Sequence, residues 1–265
     1  MLFFVVSAVV SKTYTQELFL FTEPASNMAT NNLGIRLAAS AMNKKDGSGL
    51  NFHLMPELMY GINNKFMIHA TSFLSNRSRS LVSEGGSLYF KYKFFNNDDV
   101  QRHFRVAAYG RYSFNNADIH QEEINLYGHN TGYEAGIVAT QLLHKVAISS
   151  SISYSKALDN SSNNKFPSIQ SNEATNYTIS IGKLMLPKKY KDYAQTNLNI
   201  MCEFLGEILT PNGKSFLDIA PTVQLIIKSK MRIDIGYRKE LYSNMLRTAP
   251  NGFLLRLEYN FFNAF

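Results

Sequence analysis

Apolar and polar residues alternate most clearly near the end of the chain, in residues 253–262. Apolar side chains occupy every second position of this stretch: Leu255, Leu257, Tyr259 and Phe261. The positions between them hold charged or polar side chains: Arg256, Glu258 and Asn260. Because successive side chains of a β-strand point to opposite faces, the pattern predicts a strand with one apolar face and one ionic face.

The same period recurs along the chain and predicts twelve strands. We place them at residues 33–42, 50–61, 66–74, 87–95, 102–113, 131–143, 146–157, 175–185, 196–208, 216–227, 231–241 and 253–262. The sequence shows no helical pattern that could cover their apolar faces. Repeated amphipathic strands of this length are typical of membrane-spanning β-barrels. We therefore expect an all-β fold, an antiparallel up-and-down transmembrane β-barrel of about twelve strands in residues 33–265.

The connections between these strands alternate in length, which is a second and independent pattern. The long, polar connections are 75–86, 114–130, 158–174 and 242–252. The tight connections are 63–64, 144–145 and 228–230. Because transmembrane barrels have short periplasmic turns and longer extracellular loops, both ends of the barrel are predicted in the periplasm. The expected location is the outer membrane of a Gram-negative bacterium.

Two prolines, Pro56 and Pro221, fall inside predicted strands on the outward face. Every strand of a closed barrel is paired on both sides, so each proline must cost a ladder hydrogen bond or mark a bulge. The alternative is that these strands are the edges of a soluble β-sandwich.

The first part of the chain does not alternate. Residues 1–16 resemble the end of a secretory signal, because the apolar core Leu2–Val10 is of signal length and too short to span a membrane. The usual basic n-region is missing, which leaves the true start codon open. Residues 17–32 are expected either to enter the lumen as a plug or to lie at the periplasmic rim, since a disordered leader would expose the apolar run Leu18–Phe21.

Composition removes several classes of protein. No run approaches the ~18–20 consecutive apolar residues of a spanning helix, and the mean hydropathy is −0.18. The net charge is +7, but the basic residues form no continuous stripe, so no nucleic-acid partner is expected. The single cysteine, Cys202, falls on a predicted lipid-facing side and is interpreted as a small apolar side chain.

Four short phrases carry a resemblance to a known family: Phe21–Met28, Pro56–Gly61, Phe94–Val100 and Leu217–Gln224. They resemble outer-membrane β-barrels of flavobacteria and related Bacteroidetes, which are often labelled as transporters. The last phrase also resembles the barrel family associated with aromatic-hydrocarbon uptake. The resemblance implies an outer-membrane barrel and carries over no catalytic residue.

The inward-facing positions of the predicted strands are densely charged. Their basic residues are Arg36, Lys91, Lys93, Arg105, Arg111, Arg232, Arg238 and Arg256. Their acidic residues are Glu57, Glu134, Glu203, Glu207, Asp218, Asp234 and Glu258. A charge in a narrow interior needs a counter-charge or water, so these groups either brace the barrel as ion pairs or line the constriction of a polar channel. Which acid meets Arg256 is left open by the sequence.

Histidines and acids come together in two places. His53 and His69 are expected inward near Glu57. A predicted loop contains a second group: His120, Glu122, Glu123 and His129. Neither group has the spacing of a known metal site, so no metal and no cofactor are expected. No arrangement resembling that of the outer-membrane phospholipases stands out, and enzymatic activity is not expected.

Two functions of different classes fit these patterns. The first is a channel or facilitator for small solutes, lined by the inward charges. The second is a non-conducting accessory barrel of a larger outer-membrane complex, sealed by those charges and residues 17–28. A loop-borne receptor for a metal or other ligand is a third. No motif identifies the solute or the oligomeric state.

The expected partners are membrane lipid, the barrel-assembly machinery and other outer-membrane proteins. A terminal aromatic residue on an amphipathic strand resembles the assembly signal of bacterial outer-membrane barrels. The predicted assembly residues are therefore Tyr259, Phe261 and Phe265.

Overall fold

The computed structural model describes residues 19–76, 80–99, 102–187 and 195–264. This part of the chain forms twelve strands: β1 (Leu33–Asn43), β2 (Leu50–Gly61), β3 (Phe66–Ser75), β4 (Val82–Asp99), β5 (Arg102–Asn115), β6 (Thr131–Leu143), β7 (Val146–Leu158), β8 (Glu173–Leu186), β9 (Asn197–Leu209), β10 (Ser215–Ile227), β11 (Met231–Ser243) and β12 (Asn251–Phe261). Over the same residues, no helix has the length and apolar character needed to cross a membrane.

Each strand pairs antiparallel with its neighbours in sequence, and β1 pairs with β12 to close the sheet into a barrel. The closing ladder runs along the whole of β1, from Leu33 opposite Phe261 to Asn43 opposite Asn251. Closure gives the backbone groups of the first and last strands their partners, as a membrane-spanning sheet requires. The predicted twelve-stranded up-and-down barrel is confirmed.

The outer wall of the barrel carries the apolar members of the alternation. Leu88 and Phe90 of β4 are 59% and 55% exposed, and Tyr259 and Phe261 of β12 also face outward. An apolar surface that continues around a closed barrel is unfavourable in water and matches the lipid-facing band of a transmembrane barrel. Phe265, the third predicted assembly residue, lies outside the described residues.

Strand β4 is longer than the alternation predicts, Val82–Asp99 instead of 87–95. Its pairing with β3 shifts at a bulge beside Gly85, whose φ is 152°. A Cβ on Gly85 would lie 2.1 Å from a backbone oxygen of β5, so only glycine fits there. At the other end, β4 continues past the predicted limit of residue 95, because Asp98 and Asp99 still pair with β5.

The two prolines interrupt the sheet locally without opening it. The β2–β3 ladder has a gap at Pro56, and the β10–β11 ladder has a gap at Pro221. On the other side each proline stays in register, opposite Leu37 and Cys202 respectively. A proline lacks the N–H that a second ladder would use, which explains the gaps. Because the barrel is closed, the sandwich alternative is wrong.

The two ends of the barrel differ in their connections. At one end, the turn side, the hairpins include the tight connections 62–65, 144–145 and 228–230. The turn-side connection 187–196 is longer, and its residues 188–194 lie outside the described residues. At the other end, the loop side, the long connections are 116–130, 159–172 and 244–250.

Residues 19–28, which we call the luminal segment, precede β1 and lie inside the barrel. Phe19 and Ala25 are 2% and 0% exposed. Met28 packs with the inward-facing Met59 and Met67 near the turn side. Of the two placements left open for residues 17–32, the part from residue 19 onward therefore contacts the inner wall. The predicted signal remnant, residues 1–16, lies outside the described residues.

Candidate functional site in the barrel lumen

One buried carboxylate anchors the start of the luminal segment. Glu203 of β9 accepts hydrogen bonds from three successive backbone N–H groups, those of Leu20, Phe21 and Thr22, at 2.7, 3.0 and 2.8 Å. Ser180 of β8 also donates to this carboxylate, at 3.1 Å. Charge-assisted hydrogen bonds of this kind are stronger than neutral ones, so Glu203 fixes the backbone of the segment against the wall.

The rest of the luminal segment is held by side chains from other strands. Lys91 of β4 donates to the carbonyl oxygens of Pro24 and Ser26, at 2.6 and 2.9 Å. Arg105 of β5 donates to the Ser26 hydroxyl at 2.8 Å. On the opposite wall, Arg256 of β12 donates to the carbonyl oxygens of Leu20 and Phe19, the former at 2.9 Å. The segment therefore crosses the lumen on the turn side.

Arg36 of β1 is the centre of three ion pairs on the turn side. Its guanidinium lies 2.8 Å from Glu57 and 3.0 Å from Glu258, which are its direct cross-strand neighbours on β2 and β12. It also lies 3.4 Å from Glu23 of the luminal segment. The strand register alone therefore brings the first two pairs together, while the third joins the segment to the wall.

The partner of Arg256, left open by the sequence, is Asp234. Their side chains meet at 2.6 Å, and the two residues are paired directly across β11 and β12. Glu258 instead lies 3.1 Å from Arg232, which also lies 3.1 Å from Asp234. The N–H groups of Arg232 form no hydrogen bond with either carboxylate. Both contacts of Arg232 are therefore ion pairs only. We call these residues the turn-side network: Arg36, Glu57, Arg232, Asp234, Arg256 and Glu258.

A second group of charges lies on the loop side, and we call it the loop-side cluster: Asp218, Arg238, Arg247, Glu123 and Glu240. Arg247 donates to both oxygens of Asp218, at 2.8 and 2.7 Å, and to Glu123 at 2.7 Å. Arg238 lies 2.6 Å from Asp218 and 3.1 Å from Glu123. Because Glu123 and Arg247 belong to different long loops, the cluster ties both loops to the strands.

The electrostatics of Glu123 follow from this arrangement. Burial alone would raise the pKa of its carboxyl, but the guanidinium groups of Arg247 and Arg238 outweigh burial and lower the pKa to about 2. Glu123 is therefore ionised at neutral pH and contributes a permanent negative charge to the cluster.

Loop 116–130 folds inward over the mouth of the barrel. Its Ile124 and Leu126 are buried in an apolar cluster with strand residues that include Leu209 and Phe216. The backbone N–H of Ile124 donates to the inward-facing Glu207 at 3.1 Å. The loop side is therefore covered by packed apolar side chains as well as by the ion pairs.

A cavity of about 330 Å³ lies between the luminal segment and this loop. Along one wall, the strand register sets His69, Tyr89, Arg111 and Glu134 side by side on β3 to β6. The Arg111 guanidinium lies 5.2 Å from the ring centre of Tyr89 and 4.9 Å from that of Tyr127 in the loop. Its contact with Glu134 is long, 3.5 Å.

The remaining predicted residues have separate surroundings. Lys93 is half-buried at the turn side, where its backbone N–H donates to Lys65. Glu134 accepts from Ser153 at 2.6 Å and from Tyr109 at 3.4 Å. The structure thus divides the predicted lumen charges other than Lys93 between the turn-side network, the loop-side cluster, the anchors of the luminal segment and the cavity wall.

The histidines also separate. His69 lies 3.3 Å from Glu57, and the ring of His53 lies 4.6 Å from that of His129 in the loop. His120 is exposed and lies 3.8 Å from Asp118. Within the described ranges, no group of three or more His, Cys, Asp or Glu side chains is arranged to hold a metal ion.

Sequence reasoning missed several residues of the lumen because they lie outside the strands: Glu23, Tyr127 and Arg247. Alternation identifies a side chain only where the chain is extended, and none of these three is in a strand.

Comparison with known proteins supports the barrel architecture. No protein-family model matches this chain, and no curated protein matches it in sequence. An outer-membrane channel from Pseudomonas putida F1 is similar in structure, with a TM-score of 0.56 and 13% identity over 90% of this chain and 98% of that one. The NanC porin matches with a TM-score of 0.51 and 10% identity, over 86% and 98% of the two chains. The KdgM porin matches with 0.50 and 10%, over 86% and 99%. At such low identities the likeness concerns the fold, which is a barrel that those porins and that channel share with this chain.

Proposed function

We propose that this protein is an outer-membrane channel or facilitator for small solutes. The observation that carries the proposal is a closed barrel with an apolar outer wall and, inside it, a cavity lined by charged and polar groups. Barrels of this kind leave an interior that can hold a solute and select it by charge. The solved barrels with the same fold are named as porins and as a channel, which supports the same class.

The luminal segment acts in this proposal as a plug. It crosses the turn-side half of the lumen and forms hydrogen bonds with β4, β5, β9 and β12. Loop 116–130 covers the loop side. A solute therefore passes only when both the segment and the loop move away from the axis.

The outer membrane is the location that fits this barrel, and the resemblance of its short phrases to flavobacterial barrels supports a Bacteroidetes source. Membrane lipid contacts the outer wall in this proposal. The barrel-assembly machinery reads the last strand through Tyr259, Phe261 and Phe265. No catalytic role is proposed for any residue of the lumen.

The plug can be tested with a reversible covalent lock. The hydroxyl oxygens of Thr22 in the luminal segment and Ser180 in β8 lie 2.8 Å apart. We therefore replace both by cysteine, Thr22→Cys and Ser180→Cys, in a chain that also carries Cys202→Ala so that no other thiol competes. Single-channel conductance of the purified full chain in planar bilayers is then recorded before and after reduction.

We expect the oxidised double variant to be silent and the reduced one to show steady openings. The matched control is Thr22→Cys with Cys202→Ala, which has no second thiol and should respond to neither treatment. Equal conductance in the oxidised and reduced states would refute the plug while leaving the channel. Silence of the control, of the unmodified chain and of the reduced double variant would refute the channel and favour the non-conducting accessory barrel.

A further inference from the structure

Among the described arginines that face the lumen, Arg111 lies farthest from a carboxylate. Arg36, Arg238 and Arg256 each donate to a carboxylate at 2.6 to 3.0 Å. The guanidinium of Arg111 makes no hydrogen bond among the described residues, and its nearest carboxylate, that of Glu134, is 3.5 Å away. Glu134 instead accepts from Ser153 at 2.6 Å. The N–H donors of Arg111 are therefore available to a molecule bound in the cavity that Arg111 lines.

Two side chains near Arg111 on the cavity wall also have polar atoms without a hydrogen-bond partner in the described part of the chain. Tyr89 is 3% exposed, lines the same cavity, and has a hydroxyl without a hydrogen-bond partner in the described part of the chain. The Nε2 atom of His69, also on the cavity wall, is likewise unpartnered there, and its ring lies 5.0 Å from that of Tyr89. Buried polar groups are nearly always satisfied, so this cluster has the composition of a site whose partner is a ligand.

The geometry of the cluster restricts the ligand. A guanidinium offers parallel N–H donors in a planar fork, which matches the two oxygens of a carboxylate. Tyr89 and Tyr127 flank Arg111 with their rings, at 5.2 and 4.9 Å, and hold the fork in one orientation. The hydroxyl of Tyr89 supplies a further donor beside it. We infer that Arg111, with Tyr89, is the anchor of a binding site for a small organic carboxylate.

The remainder of the cavity sets the size and character of that solute. A volume of about 330 Å³ is at the lower end of the range for small-molecule sites. Further aromatic rings line the cavity, among them Tyr109, Tyr177 and Phe216. These walls suit an apolar or aromatic body attached to the carboxylate. This inference rests on the proposed channel function, because it names the class of solute that the lumen selects.

The test is isothermal titration calorimetry of the full chain in detergent micelles, with three probes. Benzoate carries the planar carboxylate, and benzamide has the same shape without the charge. Sulfate is an anion whose oxygens are arranged tetrahedrally and not in a plane. We expect saturable binding of benzoate to one site and no saturable binding of the other two. Arg111→Gln should weaken benzoate binding by roughly tenfold or more, since a charge-assisted bidentate contact is lost.

Three further variants separate loss of the site from a general loss of charge or stability. Tyr89→Phe, which removes only the hydroxyl, should weaken benzoate binding a few-fold. Arg102→Gln makes the same charge change at an exposed position on the same strand and should leave binding unchanged. Arg111→Lys keeps the positive charge but not the fork, so it should bind benzoate more weakly than the unmodified chain while retaining its thermal stability.

The outcomes separate the site from the channel. Absence of saturable benzoate binding, equal binding of benzamide or sulfate, or an unchanged affinity in Arg111→Gln would each overturn the carboxylate site. None of these depends on ion flow. Benzoate binding in a protein that is silent in bilayers would support the site and refute the channel. Steady conductance without benzoate binding would support the channel and refute the carboxylate site.

Discussion

The two halves of the lumen are closed by different means. On the turn side, strand side chains bind the backbone of the luminal segment, as Glu203 and Lys91 do. On the loop side, side chain meets side chain, as Arg247 and Glu123 do between two long loops. The first closure consists of many contacts along one continuous segment. The second combines ion pairs near the mouth of the barrel with the apolar packing of Ile124 and Leu126.

This difference suggests separate tasks for charges that look alike in the sequence. Arginines of the turn-side network have close carboxylate partners, so they contribute mainly to holding the barrel and the segment together. Arg111 lies between the two closures, and among the described residues its nearest carboxylate, that of Glu134, is 3.5 Å away. The four predictions below test this contrast, from the largest expected effect to the smallest.

Charge reversal in the turn-side network should have the largest effect. Arg256→Glu places a carboxylate beside Asp234 and removes the donor to the Leu20 carbonyl. Breaking a buried pair in this way typically costs about 3–5 kcal/mol, so the unfolding temperature of the folded barrel should fall strongly. Adding Asp234→Arg should restore part of the loss. Glu258→Arg should restore none, because Glu258 faces Arg36 and Arg232. Unchanged melting with altered ion selectivity would show that these charges line open water instead.

Low pH should detach loop 116–130 from the mouth of the barrel. The folded pKa of Glu123, about 2, lies below its unfolded value. The stabilisation of the folded protein by the ionised Glu123 is thus fully present above pH ~5 and is lost as the pH falls through about 2. Pepsin should spare loop 116–130 at pH 4 and cleave it at pH 2. Arg247→Gln removes the largest cause of the low pKa, so cleavage should begin nearer pH 4. Identical pH profiles for the two proteins would refute the assigned role of Arg247.

Weakening the anchor of the luminal segment should have an intermediate effect. Glu203→Gln keeps the shape of the side chain but replaces a charged acceptor, which lowers stability by about 1–2 kcal/mol. A cysteine at the fully buried Ala25 reports the consequence. Thiol labelling of Ala25→Cys should accelerate in the Glu203→Gln background, with Cys202→Ala present in both proteins. A labelling rate that does not change would show that Glu203 is not the anchor.

Neutralising Arg111 should have the smallest effect on stability. Arg111→Gln loses a 3.5 Å contact and two cation–π contacts, but no hydrogen bond. We expect a change of about 1 kcal/mol or less in the free energy of unfolding. Thermal melting of this variant beside Arg256→Glu measures the contrast directly. Losses of similar size in both variants would mean that Arg111 braces the barrel as the turn-side arginines do.

The sequence predicted the strands well because alternation records which side of the wall each residue faces. It failed where the local pattern stops: the alternation placed Gly85 in the long connection 75–86, but Gly85 lies at a bulge of β4. Alternation also cannot supply the register between strands, so the choice of Asp234 over Glu258 as partner of Arg256 needed coordinates. Arg247 and Tyr127 lie in loops, whose path depends on tertiary contacts that no periodic pattern encodes.

Glu57 receives contacts from both closures. It accepts a hydrogen bond from Tyr127 of loop 116–130 at 3.2 Å and another from Arg36 at 2.8 Å, and Arg36 also contacts Glu23 of the luminal segment. Two sites that share one carboxylate are thermodynamically linked. If release of the loop weakens binding of the segment to the wall, release of the segment must weaken binding of the loop by the same free energy. Among the described residues, Glu57 therefore couples the loop that covers one end of the lumen to the segment that crosses the other.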